Sequence, residues 1–332
     1  MRAMVIREHG GPHVLTLEER PEPELRDTDL LIEVHATSVN PVDTKVRQRS
    51  GNRQFPIILG YDVSGVVVKC GPRVNGWQPG DEIFATANLF RNGANADYVA
   101  LDGRSAARKP RSVDHATAAA LPLVSQTVWE ALHLRARIHP GQTVLIHAGA
   151  GGVGHIAVQL AKLHGCRVIA TAGRPESIAF CRDVLKADEV IDYRSTNVVE
   201  RVNEMTGGKG LPVVLDTVGG EVFLQSLDCA GVNGQVVTIL GATASTADRG
   251  QSLLYRNVSV HYEFMGIPTA YEIEPERPGQ ILAGIAHLVD AGLLVPKVSH
   301  RFSLEQVAEG HRQVETSRTI GKVVITVRPD SR

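Results

Sequence analysis

The sequence predicts an α/β protein in which a doubly wound parallel sheet follows a smaller, β-rich unit. Short β-branched runs punctuated by Pro and Gly fill roughly the first 120 of 332 residues, which is typical of a small β-barrel-like unit. From residue 143 onwards, apolar strands alternate with helices, which is typical of a parallel sheet covered on both faces. No internal repeat or low-complexity linker interrupts this pattern.

The predicted sheet is organised around residues 143–165. A short apolar strand is followed by a G-x-G-x-x-G turn and then by an apolar stripe at helical spacing. We interpret Gly149 as permitting the tight turn, Gly151 as admitting a pyrophosphate, and Gly154 as allowing close helix packing. The predicted dinucleotide-binding residues are Gly149, Ala150, Gly151, Gly152, Val153 and Gly154. A glycine-rich turn without a ligand is the alternative.

The remaining elements follow from periodicity and turn residues. In the first unit we predict strands at 4–7, 30–36, 63–69 and 82–85, then helical segments at 116–120 and 127–134. In the sheet region we predict strands at 167–171, 189–193, 213–217 and 235–241, with helices at 176–185 and 221–230. The chain closes with a helix at 278–291 and strands at 298–302 and 322–327.

Composition and charge exclude several classes of protein. The formal net charge of −1 and the absence of charge runs give no reason to expect a nucleic-acid or membrane-surface partner. The N-terminus lacks the apolar core of a signal peptide, and no run approaches the ~20 apolar residues of a membrane span. The four cysteines lie far apart, which suits a reducing compartment. We therefore expect a cytoplasmic protein.

The end of the second strand of the sheet indicates which nicotinamide cofactor is preferred. An NAD site has an Asp or Glu there, which accepts hydrogen bonds from the ribose hydroxyls. Here Gly173 and Arg174 take that place, and a guanidinium suits a 2′-phosphate. The sequence therefore predicts NADPH. The alternative is that Arg174 is only a solvated loop charge.

Several segments, in order along nearly the whole chain, carry a family resemblance. They include SVNPVDTKVR at 38–47, FPIILGYDVSGVVVKCG at 55–71, AAALPLVSQTVWEAL at 118–132, VVLDTVGG at 213–220 and RTIGKVVITV at 318–327. With these segments the sequence resembles the medium-chain dehydrogenase/reductases. Within them it looks like the zinc-independent quinone oxidoreductase, or zeta-crystallin-like, group.

The resemblance implies a domain organisation and further site residues. It implies a GroES-like catalytic domain at 1–125, a Rossmann NADPH-binding domain at 126–265 and a segment at 266–332 that returns to the catalytic domain. It also implies a homodimer paired through the strand near 258–264. In the family, the residue matching Thr127 lies near the nicotinamide, and those matching Tyr193 and Arg318 lie near the adenosine phosphate.

Zinc is where the sequence departs from the wider family. A zinc-dependent alcohol dehydrogenase needs Cys and His ligands near the start of the chain and in a G-H-E-x-x-G segment. The first segment here contains neither residue, and Tyr61 stands where the His would be. We therefore expect no catalytic metal. Isolated histidines such as His35, His147 and His155 are interpreted as core or surface residues.

Three residues are the candidate catalytic groups. By resemblance, Asn40 lines the active site and supplies an amide donor to a developing oxyanion. Lys45 and Tyr61 are candidates to stabilise negative charge or donate a proton. Lys45 is alternatively a solvated surface charge, and Tyr61 a packing residue. The usual quinone reductases have a tyrosine at the position matching Lys45, which leaves quinone specificity open. Asp43 is expected to cap backbone N–H groups.

Reduction of an acceptor that is already electrophilic is the chemistry that remains without zinc. The leading hypothesis is an NADPH-dependent reductase that transfers hydride to a small-molecule quinone. A reductase of α,β-unsaturated aldehydes or ketones is the neighbouring hypothesis, because the same residues serve both acceptors. An NADPH-binding sensor or structural protein with little turnover is the alternative from another class. The sequence does not identify the proton donor, or whether one or two electrons are transferred.

Overall fold

The structure, a computed structural model, describes residues 1–49, 53–241 and 245–329. The chain divides into two units. One consists of Met1–Gln126 together with Gly266–Arg332, and the other of Thr127–Met265. We call them the terminal unit and the central unit.

The strands of the terminal unit, in chain order, are β1 (Arg2–Ile6), β2 (Thr16–Glu19), β3 (Asp29–Val39), β4 (Ile57–Ile58), β5 (Asp62–Cys70), β6 (Glu82–Thr86), β7 (Tyr98–Asp102) and β8 (Ala107–Arg108). Those of the central unit are β9 (Thr143–Ile146), β10 (Arg167–Ala172), β11 (Glu189–Asp192), β12 (Leu211–Asp216), β13 (Ala230–Thr238) and β14 (Ser259–Tyr262). The chain then returns to the terminal unit with β15 (Val298–Ser303) and β16 (Lys322–Thr326).

The helices are α1 (Pro41–Gln48), α2 (His115–Ala118), α3 (Pro122–Trp129), α4 (Gly152–Leu163), α5 (Pro175–Ala179), α6 (Val198–Thr206), α7 (Glu221–Cys229), α8 (Gly250–Tyr255), α9 (Ile267–Tyr271), α10 (Arg277–Asp290) and α11 (Val307–Glu315). Within the described parts of the chain, none of these helices has the length and apolar character needed to cross a membrane.

The central unit is a parallel six-stranded sheet. Its order is β11-β10-β9-β12-β13-β14, and every neighbouring pair is parallel. Counted from β9, this is the 3-2-1-4-5-6 order of a doubly wound dinucleotide-binding sheet. The order reverses between β9 and β12, and ligands of such sheets bind beyond the carboxyl ends of the strands at that point. The predicted doubly wound sheet is confirmed.

The terminal unit is mainly antiparallel. A seven-stranded sheet has the order β15-β16-β3-β5-β6-β8, with β7 also paired to β3, and a three-stranded sheet has the order β2-β1-β4. The pair β15–β16 is parallel, whereas the pairs made by β3 are antiparallel. The long strand β3 therefore lies between β5 and β16, two strands far apart in sequence. The end of β3 is next to the start of each of them.

The structure departs from the predicted helices in several places, and besides α1 the helices α6, α8, α9 and α11 were not predicted. Helix α1 was not predicted, because its mixed polar sequence lacks an apolar stripe. The predicted helix at 127–134 begins earlier, at Pro122, and continues as a π-helix over Glu130–Arg135. Proline is tolerated in the first turn of a helix, where its missing N–H would have no partner. The predicted helix at 176–185 likewise becomes a π-helix over Phe180–Val184.

Candidate functional site

The glycine turn connects β9 to α4, and one of its glycines, Gly149, has a different role from the one that the sequence predicted. The residue with left-handed backbone is Ala148, with φ of 49°, and not Gly149. A Cβ on Gly149 would lie 2.7 Å from Cβ of Ala170, so close packing on β10 requires glycine there. A Cβ on Gly154 would clash with the carbonyl oxygen of Ala148, which agrees with the predicted tight packing. The tight turn assigned to Gly149 is therefore corrected.

The N-terminus of α4 has the geometry of an anion site. Gly151 is its N-cap residue, and its N–H donates to the Ala148 carbonyl at 2.9 Å. The next residues, Gly152, Val153 and Gly154, form the first helical turn, whose N–H groups have no acceptor within the helix. A Cβ on Gly151 would meet only the Ala148 oxygen within 4 Å, at 3.2 Å, so this side of the turn is open. Ala150 is buried within the turn.

Three predicted cofactor residues meet at the carboxyl ends of β10 and β11. The Tyr193 N–H donates to the Ala172 carbonyl at 3.2 Å, which brings the tyrosine beside Gly173. Its ring covers Gly173 so closely that a Cβ there would lie 2.7 Å from the phenolic oxygen. Arg174 follows as the N-cap residue of α5, and its Nη2 donates to Ser177 Oγ at 3.2 Å. A half-exposed aromatic ring therefore covers the glycine that immediately precedes Arg174.

The nearest acid at these strand ends is already engaged. Asp192 ends β11, and its carboxylate accepts from the Arg194 N–H and the Ser195 hydroxyl, each at 3.0 Å. The end of β10 itself has no acid, because Ala172 and Gly173 stand there. A ribose 2′-hydroxyl would thus find no carboxylate in the usual place.

The other two predicted cofactor residues, Thr127 and Arg318, are distant from this group in the sequence. Thr127 is the first residue of the central unit and is buried on α3. Arg318 belongs to the terminal unit, exposed between α11 and β16. Their roles towards a nucleotide remain predictions.

The terminal unit contains a buried polar cluster that includes Asn40. The amide Nδ2 of Asn40 donates to Asp62 Oδ2 at 2.7 Å, and Lys322 Nζ donates to Asn40 Oδ1. Lys322 Nζ also lies 3.3 Å from Asp62 Oδ2. The same carboxylate accepts from the Ser38 hydroxyl and, through Oδ1, from the Leu123 N–H at 2.7 Å. Asn40, Asp62 and Lys322 are each 3% exposed or less.

The register of the sheet explains how these residues meet. Val323 of β16 pairs with Val39 of β3, and Ser64 of β5 pairs with Ala36. The start of β16, the start of β5 and the end of β3 are therefore adjacent. We call Ser38, Asn40, Asp62 and Lys322 the Asn40 cluster. It holds the Asn40 amide in one orientation, because a flipped amide would turn its NH2 towards an ammonium and its oxygen towards a carboxylate.

Helix α1 positions Asn40 through Asp43. Asp43 Oδ2 accepts from the Asn40 N–H at 2.8 Å, and Oδ1 accepts from the Gly60 N–H at 2.9 Å, as expected for a capping role. Burial raises the pKa of Asp43 to about 7, against the opposing effect of these two donors. Asp43 therefore links the start of α1 to the residue that precedes Tyr61.

The other two candidate catalytic residues have unlike surroundings. Tyr61 is wholly buried, and its hydroxyl accepts from Arg53 Nη1 at 2.9 Å. Burial, with the nearby Asp43 carboxyl, raises the pKa of Tyr61 to about 12, so the phenol stays protonated at neutral pH. Lys45 is exposed on α1, and partial desolvation lowers its pKa. The structure thus brings Asn40 and Tyr61 into one neighbourhood and leaves Lys45 at the surface.

The Asn40 cluster does not fit a zinc ion. Zinc prefers thiolate and imidazole ligands, and the cluster offers only amide, hydroxyl and carboxylate oxygens. Two of these oxygens, Asn40 Oδ1 and Asp62 Oδ2, already face the Lys322 ammonium. Across residues 1–49, 53–241 and 245–329, no group of three or more His, Cys, Asp or Glu is placed to hold a metal ion.

Sequence reasoning missed two residues that contact Asn40 in the structure, and a third on helix α3. Asp62 and Lys322 each begin a largely apolar strand, and their charges have opposite signs, which is a weak signal of a buried pair. Gln126 carries a buried amide on α3, and no pattern pointed to it. Helix α1 also had a signal, because Asn40, Pro41 and Asp43 stand at the N-cap, N1 and N3 positions typical of a helix start.

The fold and the glycine turn define a dinucleotide-binding protein with an additional β-rich unit, and comparison with known proteins identifies its family. A family model described as an alcohol dehydrogenase GroES-like domain matches residues 26–111. A second, described as a zinc-binding dehydrogenase, matches residues 185–325. The chain belongs to the medium-chain dehydrogenase/reductase superfamily, which confirms the resemblance and makes it an NAD(P)-dependent oxidoreductase.

Individual relatives are oxidoreductases with different names. A mitochondrial NAD(P)H oxidoreductase of Mus musculus is 31% identical, over 98% of this chain and 89% of its own length. A chloroplastic NADPH-dependent alkenal/one oxidoreductase of Arabidopsis thaliana is 30% identical, over 98% of this chain and 79% of its own. The structure of an Escherichia coli quinone oxidoreductase in complex with NADPH matches with a TM-score of 0.88 and 27% identity, over 98% of this chain and all of that one.

We expect the contributions of Lys322 and Asp62 to the free energy of unfolding to be coupled. Replacing Lys322 by Met leaves a buried carboxylate without its cation, so we expect the free energy of unfolding to fall by about 3 kcal/mol. Adding Asp62→Asn removes that unpaired charge, and the double variant should be less destabilised than the sum of the single variants. Urea denaturation measures all three. The exposed Lys69 on β5 provides the control, and Lys69→Met should change stability by less than about 0.5 kcal/mol. Strictly additive losses would contradict the coupling.

Proposed function

We propose that this protein is an NADPH-dependent reductase that transfers hydride to a quinone without the help of zinc. The observation that carries the proposal is the fixed amide of Asn40. One of its two Nδ2 hydrogens is directed at Asp62, and no contact among the described residues engages the second. A preorganised N–H donor is what a carbonyl oxygen needs while it gains negative charge.

The chemistry requires a hydride and a proton, and a bound nicotinamide supplies the hydride. In this proposal the Asn40 amide donates to the acceptor oxygen on which negative charge develops. Lys322 and Asp62 hold the amide in that orientation. Tyr61 and Lys45 are the candidate proton donors, because the high pKa of Tyr61 keeps its phenol protonated and Lys45 is exposed. The hydride and this proton together complete the two-electron reduction of the quinone to the hydroquinone.

Zinc independence is proposed from the donor set. The alternative, a zinc-dependent alcohol dehydrogenase, would need Cys and His side chains where this chain has Asn40 and Tyr61. An acceptor that is already electrophilic needs no Lewis acid to polarise it, so an amide donor is sufficient for a quinone or an enone.

Acceptor preference and the role of Asn40 can be tested together. We expect steady-state NADPH oxidation to be faster, in kcat/KM, with para-quinones than with α,β-unsaturated aldehydes. Asn40→Ala should lower kcat by roughly 100-fold, the usual loss for one oxyanion donor, and leave the Kd for NADPH unchanged. Asn75→Ala, at an exposed turn of the same unit, is the matched control and should retain full activity.

The other outcomes of this experiment are informative. Turnover with enals alone would support the second candidate function, as the name of the Arabidopsis thaliana relative suggests. Tight NADPH binding with no turnover of any acceptor would favour a sensor or structural protein. An Asn40→Ala variant with normal kcat would remove the observation on which the proposal rests.

The preference for NADPH is proposed from the geometry at Gly173, Arg174 and Tyr193. We expect Arg174→Ala to raise the Kd for NADPH at least tenfold, because a charge-assisted hydrogen bond to the 2′-phosphate is lost. The Kd for NADH should change less than twofold. Fluorescence titration of the reduced cofactors measures both constants. Arg182→Ala is the control, because it removes an exposed guanidinium from the π-helix that follows α5. Equal losses for both cofactors would show that Arg174 does not contact the 2′-phosphate.

A homodimer is proposed through the edge of the parallel sheet. Strand β14 is the last strand in the order and pairs only with β13 among the described strands. Val260 and Tyr262 on it are exposed, and an uncovered edge is a template for a second strand. Sedimentation velocity should give twice the mass of the chain, and Val260→Lys should shift the population towards monomer. A wild-type monomer at micromolar concentration would contradict the proposal.

A cytoplasmic location remains a proposal. It rests on the composition, whereas relatives are named mitochondrial and chloroplastic. No nucleic-acid or membrane partner is proposed, because the formal net charge is −1 and neither charge sign forms a long run in the sequence.

A further inference from the structure

Helix α3 contains polar atoms that are buried without a partner. Gln126 is 1% exposed, yet neither its Oε1 nor its Nε2 has a hydrogen-bond partner in the described structure. The hydroxyl of the preceding Ser125, fully buried, is in the same condition. A buried amide with both ends unsatisfied is costly, and natural proteins rarely retain one without a reason.

The position of Gln126 connects it to the Asn40 cluster. The N–H of Leu123, in the first turn of α3, donates to Asp62 Oδ1 at 2.7 Å. Gln126 follows three residues later, about 4.5 Å along the helix axis, and residues three apart are neighbours on a helix surface. Gln126 is therefore one helical turn along α3 from the residue whose N–H donates to Asp62.

Burial without a hydrogen-bond partner does not by itself indicate a ligand site, as a second buried amide illustrates. Asn95 also has both amide atoms unpaired in the described structure. Its Oδ1, however, lies 2.5 Å from the place where a Cβ of Gly60 would be, so the backbone of Gly60 packs directly on it. Gln126 combines burial, two amide atoms without a hydrogen-bond partner and a place on the helix whose first turn donates to Asp62.

We propose that the Gln126 amide binds a carbonyl oxygen of a conjugated ligand through its Nε2–H and thereby helps to select that ligand. Two ligands of the proposed reaction present such an oxygen: the carboxamide of the nicotinamide ring and the carbonyl of the quinone or enone. The inference rests on the proposed function only where the ligand is the quinone or enone. Gln126 is a ligand-selecting residue here, and Asn40 keeps its role as the donor to the reacting oxygen.

The inference predicts opposite effects of one substitution on stability and on binding. Gln126→Leu replaces the amide by an apolar side chain of similar size. The melting temperature of the ligand-free chain should stay the same or rise, because no hydrogen bond is lost and an unsatisfied group is removed. Binding of the ligand that uses the amide should weaken about tenfold, because its carbonyl would lose its donor. Gln280→Leu, at an exposed position of α10, is the matched control.

Two binding measurements distinguish the sources without relying on turnover. Fluorescence titration gives the Kd for NADPH, and calorimetry gives the Kd of a 1,4-naphthoquinone for the chain saturated with NADP⁺. A loss of threefold or more for NADPH assigns the amide to the nicotinamide carboxamide. Such a loss for the quinone alone assigns it to the acceptor carbonyl.

Losses below threefold for both ligands would overturn the inference. So would a clear drop in the melting temperature of the free Gln126→Leu chain, which would mean that a structural water satisfies the amide. If the wild-type chain neither binds nor reduces quinones, the proposed acceptor is wrong. The NADPH titration would still decide the role of Gln126.

Discussion

The requirement that a buried charge be paired organises the terminal unit. Lys322 and Asp62 are 260 positions apart in the sequence, and both are nearly inaccessible to water. An isolated ammonium or carboxylate in that place would cost several kcal/mol, so each is stable only while the other is present. The pair thus connects the start of the chain to its end. The remaining hydrogen-bonding capacity of the carboxylate is used by Ser38, Asn40 and the N–H of Leu123.

This pairing has a consequence for chemistry. The Asn40 amide accepts from Lys322 and donates to Asp62, so its orientation follows from the two charges. Asp43 then fixes the backbone at Asn40 and at Gly60. A donor held by charges and by backbone contacts needs no reorganisation when charge develops on an acceptor, which is the property of an efficient oxyanion site. The same ammonium makes the cluster a poor host for a metal cation.

The central unit has the geometry of a backbone anion site at the start of α4. Its glycines are required less by unusual dihedral angles than by close approach, since Gly149 packs on Ala170 and Gly154 on the Ala148 carbonyl. The helix therefore begins directly against the sheet, and its first N–H groups point beyond the strand ends. Arg174 and Tyr193 lie at the ends of the neighbouring strands, where the nucleotide of such a sheet is bound.

The sequence by itself determined the doubly wound parallel sheet and the glycine turn. Both follow from local periodicity and from residues adjacent in the chain. It also indicated the absence of zinc ligands, which is a matter of residue identity. It did not reveal helix α1, whose stability comes from caps more than from an apolar stripe. It assigned the wrong reason to Gly149, because contact with Ala170 depends on how two strands pack. Only the tertiary structure brought Lys322 to Asn40 and Asp62 and left the Gln126 amide unpaired. Long-range pairing of this kind has no local signature beyond a lone charge or amide in an apolar segment.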